Sequence, residues 1–74
     1  MISHHVFLND MASILSCETQ DIALDAKLTE LVDNSFTLVE LIIELQEVYG
    51  IRFGQADMKG IQTVDELLNV FNVQ

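Results

Sequence analysis

Ser35 lies in the run Asp33-Asn34-Ser35-Phe36-Thr37-Leu38-Val39-Glu40-Leu41, where a hydroxyl meets the start of a strongly patterned segment. Two kinds of chemistry are open to such a serine: to attack as a nucleophile, or to be the group that another enzyme modifies. A nucleophile needs a base within hydrogen-bond reach and donors aimed at the oxyanion. The two histidines, His4 and His5, both lie in the opening segment, and no G-x-S-x-G elbow surrounds Ser35. Autonomous hydrolysis is not expected, so the chain reads as a non-enzyme with no catalytic residue. The second kind suits the position better. Unsatisfied N–H groups and the dipole at a helix start both favour negative charge, so a phosphodiester on Ser35 would be tolerated there. The plainer role for a serine in a first helical turn is local capping, and the surface beside it bears on the choice.

Other reactive groups offer less. His4 and His5 are adjacent, which points their side chains about 100° apart on a helix rather than toward one ion. Cys17 is the only cysteine, so there is no internal disulfide framework, and the default is a small, part-buried thiol. An EF-hand would need oxygen ligands at alternate positions, a central glycine and a terminal glutamate, and no window has that order. Nor is there a Gly-rich phosphate loop followed by lysine, so neither a metal nor a nucleotide is expected.

The elements that hold Ser35 can be read from spacing. Asn34 is a favoured N-cap. From there Leu38, Leu41, Ile42, Leu45, Val48 and Tyr49 recur at helical intervals and form the face predicted to be buried. Phe36, Val39 and Ile43 occupy a different sector, flanked by Glu40, Glu44 and Glu47, whose like charges repel by a few tenths of a kcal/mol per pair. A soluble helix needs only one apolar face, and the second patch beside a serine calls for an explanation. Gly50 ends this helix at Tyr49 in the left-handed conformation.

An opening helix is predicted from Ser3 or His4 to Ser16, with Ser3 as cap and Leu8, Met11, Ala12 and Leu15 as its stripe, widened by Phe7 and Ile14. Cys17 to Asn34 has no sustained period and reads as a long connection, with room for a helical turn, anchored by Ile22, Leu24, Leu28 and Leu31. After Gly50, Ile51 to Phe53 form a short extended piece, and Gln55 to Lys59 one helical turn with Met58 inward. Thr63-Val64-Asp65-Glu66 matches a capping box that opens a last helix, running to Asn72 with Val64, Leu67, Leu68 and Phe71 on one face. The expected fold is all-α: three main helices and one short one, with a long first loop, in a single domain over 1–74.

Seventy-four residues bury only ~60–65% of the surface of the unfolded chain, which implies a modest stability margin. Twelve acidic residues against three basic ones give a formal charge of −9. Lys27, Arg52 and Lys59 are too few and dispersed to neutralise a phosphate backbone, so nucleic acid is excluded as a partner. The acidity serves either solubility or docking onto basic patches of other proteins. No apolar run approaches the roughly 18–20 residues that span a bilayer, and the N-terminus lacks the basic-then-apolar order of a signal peptide. A soluble, cytoplasmic chain is expected.

The segment Leu31 to Leu41, with Asp33-Asn34-Ser35-Phe36 followed by Val39-Glu40-Leu41, resembles the acyl carrier proteins and the related peptidyl and D-alanyl carriers. These are small acidic four-helix bundles bearing phosphopantetheine on a serine, usually within Asp-Ser-Leu, at the start of their second helix. The glutamate five residues after the serine is in place. The similarity continues through Tyr49, Ile51, Phe53 and Ile61-Gln62-Thr63-Val64-Asp65-Glu66-Leu67, and is weakest before Leu28.

This resemblance implies that Ser35 accepts phosphopantetheine from coenzyme A, through a separate magnesium-dependent phosphopantetheinyl transferase. The arm's thiol would hold an acyl or aminoacyl group as a thioester, in fatty-acid or polyketide chemistry or a related pathway. It further implies that Phe36, Val39 and Ile43, with Glu40, Glu44 and Glu47, form the surface gripped by loading and transferring enzymes with basic patches, and that the chain is a monomer. Two residues depart from the pattern. Asn34 stands in place of aspartate, keeping the cap but losing a carboxylate that helps the transferase, for which neighbouring Asp33 is the candidate substitute. Phe36 replaces leucine, as in D-alanyl carriers. The expectation is an acyl carrier; the alternatives are an aminoacyl (D-alanyl or peptidyl) carrier and an unmodified interaction module of the same fold.

Overall fold

The computed structural model describes residues 1–73, Gln55 by its backbone alone. Five α-helices follow one another among these residues: α1 (His4–Leu15), α2 (Leu28–Leu31), α3 (Ser35–Tyr49), α4 (Gln55–Met58) and α5 (Val64–Val73), with a 3-10 turn at Thr19–Asp21. The three long helices carry the fold, and the extended pairing among the described residues is a lone antiparallel bridge between Lys27 and Thr63. The all-α architecture with three long helices is therefore as expected, while the one short helix expected is joined by a second, α2, inside the first connection.

Local chemistry accounts for the boundaries. Ser3 Oγ accepts the Val6 N–H at 3.2 Å, and α1 ends where Ser16 turns left-handed and returns its N–H to the carbonyls of Ala12 and Ser13. Gly50, at φ 65°, closes α3 in the conformation that an L side chain would strain. At the start of α5, Glu66 Oε1 accepts the Thr63 N–H at 3.0 Å while Thr63 Oγ1 accepts the Glu66 N–H at 3.4 Å, the two halves of the capping box.

One apolar cluster joins the elements. Phe7 of α1 lies between Tyr49 of α3 and Phe71 of α5, with ring centroids 6.1 and 5.6 Å apart, and Phe53 meets Phe71 edge-on at 5.1 Å. Since α1 packs against both α3 and α5, its buried centre is Phe7, Met11 and Ala12, while Leu8 and Leu15 of the predicted stripe are only half-buried. The Tyr49 hydroxyl donates to Asp10 Oδ2. Burial first, then this hydrogen bond and the Asp10 charge, push the phenol above its ordinary range.

The long connection is tied down by backbone as well as side chains. Ile22 and Leu28 are buried, and the N–H groups of Val64 and Asp65 donate to the carbonyls of Ala26 and Leu24 at 3.1 and 3.0 Å. The first connection thus satisfies amides that the first turn of α5 leaves open. Leu28 N–H in turn donates to the Gln62 carbonyl at 2.8 Å. At the N-terminus, Asn72 clasps the Ile2 peptide: its Oδ1 accepts the Ile2 N–H at 2.7 Å and its Nδ2 donates to the Ile2 carbonyl at 3.2 Å.

Two expectations are corrected. Val48, predicted on the buried face of α3, is 56% exposed. At about 100° per residue it falls on the rim of that face, and the short side chain of Ser13 on α1 leaves an open depression beside it instead of a cover. Cys17, expected to be part-buried, is exposed. It follows the left-handed Ser16, where the chain has turned off α1 and has not yet reached its first buried anchor, Ile22.

Candidate functional site

Ser35 is the first residue of α3 and is exposed. The preceding residue fixes it there: Asn34 is extended, and its Oδ1 accepts the Thr37 N–H at 2.9 Å and the Thr37 hydroxyl at 3.2 Å. The carboxamide oxygen is thus committed to the cap, and Asp33, two residues before the serine, borders the same depression as Ser35. No acidic side chain stands in the first turn of α3. The amides and dipole at this helix start therefore lack a compensating charge from their own turn, and a negative group on Ser35 Oγ would supply one.

Two depressions open beside Ser35. One of about 350 Å³ lies between α3 and α4 and is walled by Leu38, Val39, Ile42, Ile43, Phe53 and Met58. The other, about 210 Å³, lies toward α2 and is bordered by Thr29, Val32, Asp33, Asn34 and Leu38. Leu38 and Ser35 belong to both, so the serine stands on the ridge where they meet. An arm attached to Ser35 has a largely apolar cleft within reach and open solvent ahead of it. The residues present fit a phosphorylated, flexible substituent: an accessible hydroxyl, an anion-favouring helix start and an adjoining apolar wall.

The second apolar patch lies at the surface. Phe36, Val39 and Ile43 are 72%, 53% and 49% exposed, and Val39 and Ile43 also form one wall of the α3–α4 cleft. Glu40, Glu44 and Glu47 are exposed too, but they are not distributed around this patch. Helical geometry puts Glu44 about 180° around α3 from Ser35. Glu40 and Glu44 border a depression shared with Ile14 and Leu15 of α1, and Glu44 and Glu47 border another shared with Ser13 and Ile14. The acidic stripe is therefore one-sided and turned toward α1.

Sequence reasoning missed the lower walls of the cleft. Phe53 and Met58 read as residues directed at the core, and each is half-buried, packed against the core cluster and lining the cleft at once. A half-buried apolar residue near the serine has no sequence signal of its own, because the α3–α4 approach that makes it a wall is set by tertiary packing. Among the described residues no three His, Cys, Asp or Glu side chains gather as a metal-binding group, and no helix is long and apolar enough to cross a membrane.

The chain matches the family model described as phosphopantetheine attachment site over residues 5–71, which takes in both clefts beside Ser35 and nearly all of the three long helices. With the bundle and the exposed serine at the mouth of α3, that match places the protein in the acyl-carrier-type phosphopantetheine-binding family, whose members carry the group covalently.

Proposed function

We propose that Ser35 is the attachment residue, and that the chain carries an acyl intermediate on the arm and presents it to biosynthetic enzymes docking on the outer face of α3. The observation that carries this reading is the ridge position of Ser35, exposed at an uncompensated helix start and bordering an apolar cleft of about 350 Å³. When bound, the group supplies a thiol that holds cargo as a thioester. The protein's own residues hold, orient and display: Asn34 caps the helix, Leu38 divides the two depressions, and Phe36, Val39 and Ile43 offer apolar contact to a partner. Glu40 and Glu47, at the edge of that patch, attract basic side chains and speed encounter at low salt. The apolar walls of the cleft favour an acyl chain over a charged aminoacyl group, whose ammonium would find no acidic partner among the side chains that line it.

Incubation of the apo chain with coenzyme A, magnesium and a broad-range phosphopantetheinyl transferase, followed by intact mass measurement, tests the assignment. One added phosphopantetheine on the wild type and none on Ser35→Ala is expected. Equal modification of both proteins, or of neither, would sink it.

A further inference from the structure

We propose that the groove leading from Ser35 past α2 to Lys27 and Gln62 is a seat for the pantetheine arm itself, separate from the apolar cleft on the other side of Leu38. The inference rests on Ser35 being the attachment residue. Depressions of about 210 and 330 Å³ adjoin there, sharing Thr29 and Leu38. Ser35 borders the first, and Lys27 and Gln62 border the second. Backbone pairing brings the far end together: the Leu28 N–H donates to the Gln62 carbonyl at 2.8 Å, and Lys27 forms an isolated antiparallel bridge with Thr63. Residues of the first connection and of the approach to α5 thus share one wall.

The two sides of Leu38 differ in what they can hydrogen-bond. Among the described side chains lining the α3–α4 cleft, only Ser35 and Gln46 are polar. A pantetheine arm carries a hydroxyl and a pair of amides, and laying these on an apolar wall takes water from groups that gain no partner in return. The α2 side supplies partners. The Thr29 hydroxyl and the Gln62 carboxamide can each donate and accept, and the Lys27 ammonium can donate to carbonyls. Lys27 makes no side-chain hydrogen bond as the cap of α2, and Gln62 meets Leu28 and Glu66 through its backbone, so neither side chain is spent in those contacts. Val32 and Leu38 are half-buried and offer apolar contact to the paired methyl groups that follow the phosphodiester. Along the arm the methyls come before the amides, as Val32 comes before Lys27 and Gln62 along the groove. Lys27 also places a positive charge in reach of an anionic arm on a chain of formal charge −9, with Asp33 as the one carboxylate bordering the groove among the described residues. Phe36, Val39 and Ile43 border neither depression, so an arm seated here leaves that patch uncovered.

The test uses the full isotope-labelled chain, with the unloaded arm attached from coenzyme A and its single addition confirmed by intact mass. Between the unmodified and modified forms, amide shifts are expected at Lys27, Thr29 and Gln62 as well as at Ser35, together with nuclear Overhauser contacts from the arm's methyls to Val32 and Leu38. Thr29→Val combined with Gln62→Leu, both at exposed positions, should lose the shift at Lys27, and Lys27→Met should lose the shift at Gln62. Gln46→Leu, which removes the carboxamide of the α3–α4 cleft, should keep both. A chain that gains the mass but shifts only beside Ser35, arm contacts to Phe53 and Met58 instead, or loss of the shifts on Gln46→Leu rather than on the groove variants would each overturn the seat and leave Ser35 as the attachment residue. A chain that gains no mass would overturn the reading of Ser35, and the seat with it.

Discussion

The starts of α3 and α5 pose the same problem, a first turn of unsatisfied amides, and answer it in opposite ways. At α5 the solution is complete. The side chains of Thr63 and Glu66 each accept the other's backbone N–H, the Gln62 N–H also donates to Glu66 Oε1 at 2.9 Å, the carbonyls of Leu24 and Ala26 take two further amides, and Asp65 and Glu66 set negative charge against the dipole. At α3 the side-chain cap is Asn34, the first turn holds no acid, and the residues that follow it, Ser35 and Phe36, are exposed. The two helix starts differ because α5 is fastened into the bundle there, while α3 keeps its start open, which suits the charge proposed to arrive on Ser35. On the reading proposed for Ser35, the incomplete cap stands at the end of the molecule that is modified, and the complete one at a structural joint.

The largest expected difference comes from removing each cap. Thr63→Ala should cost about 2 kcal/mol in urea unfolding, at the upper end for a cap, because the hydroxyl accepts the Glu66 N–H and its one proton is donated to the Asp65 carboxylate at 2.7 Å, with Glu66 Oε1 also in range. Asn34→Ala should cost about 1 kcal/mol, since one amide and one hydroxyl lose their acceptor at an exposed site. Equal losses at both positions would break the comparison.

Much of this contrast is legible in the order of residues alone. Thr63 and Glu66 stand three apart and declare their box; Asn34 precedes an i, i+3, i+4 pattern and declares its cap; Gly50 marks where α3 stops. These signals are local, and local chemistry is what a sequence displays. The illegible part depends on pairs distant along the chain. Nothing near Asp10 announces that Tyr49 will donate to it, and nothing near Leu24 or Ala26 shows that their carbonyls cap a helix some forty residues on. Val48 misleads for the same reason: its place on the rim of the buried stripe is correct, but whether a rim residue is covered depends on the size of Ser13 across the groove. Position and pattern single out the serine, whereas only packing creates its two clefts.

Acid sharpens the contrast through Glu66. Hydrogen bonds from the Gln62 and Thr63 amides, the largest effects, and from the Thr63 hydroxyl hold its carboxyl below the ordinary value of 4.5. A depressed folded-state value means that its stabilisation is fully present above 4.5 and is lost as pH falls through the lowered value. Glu66→Gln should therefore be less stable than wild type near neutrality, with the gap closing in acid; thermal melts at neutral and acid pH measure it. A gap constant with pH would mean that the carboxylate charge adds nothing to the α5 cap.

A negative side chain at the open start should have the reverse sign. Ser35→Asp places a carboxylate where the modified serine would bear its phosphodiester, and should stabilise the fold by about 0.5 kcal/mol at about 0.1 M salt, a rise of a few degrees in Tm. The net charge of −9 opposes this, but its contributions are spread over the surface and screened beyond about 10 Å, whereas the helix amides are in contact. The same substitution on α5, Thr63→Asp, should bring no such gain, because that dipole is already compensated. A drop in Tm for Ser35→Asp would remove the idea that α3 keeps its start open for charge.

Asn34→Asp should have the smallest effect on stability and the most telling one on modification. Asparagine and aspartate are nearly equal as caps, so unfolding should shift by no more than a few tenths of a kcal/mol. The Oδ1 that accepts from Thr37 is common to both side chains, and the apolar cleft between α3 and α4 is lined by groups that the change does not touch. What changes is the second polar group: a neutral amide NH2 gives way to a carboxylate oxygen next to the hydroxyl proposed as the target of a magnesium-dependent transferase. If Asp33 already supplies that charge, Asn34→Asp will leave the initial rate of coenzyme A-dependent mass gain unchanged, and Asp33→Asn will slow it. If Asp33 does not, Asn34→Asp will accelerate the reaction at constant fold stability, and the two single variants together identify which of the neighbouring positions serves Ser35.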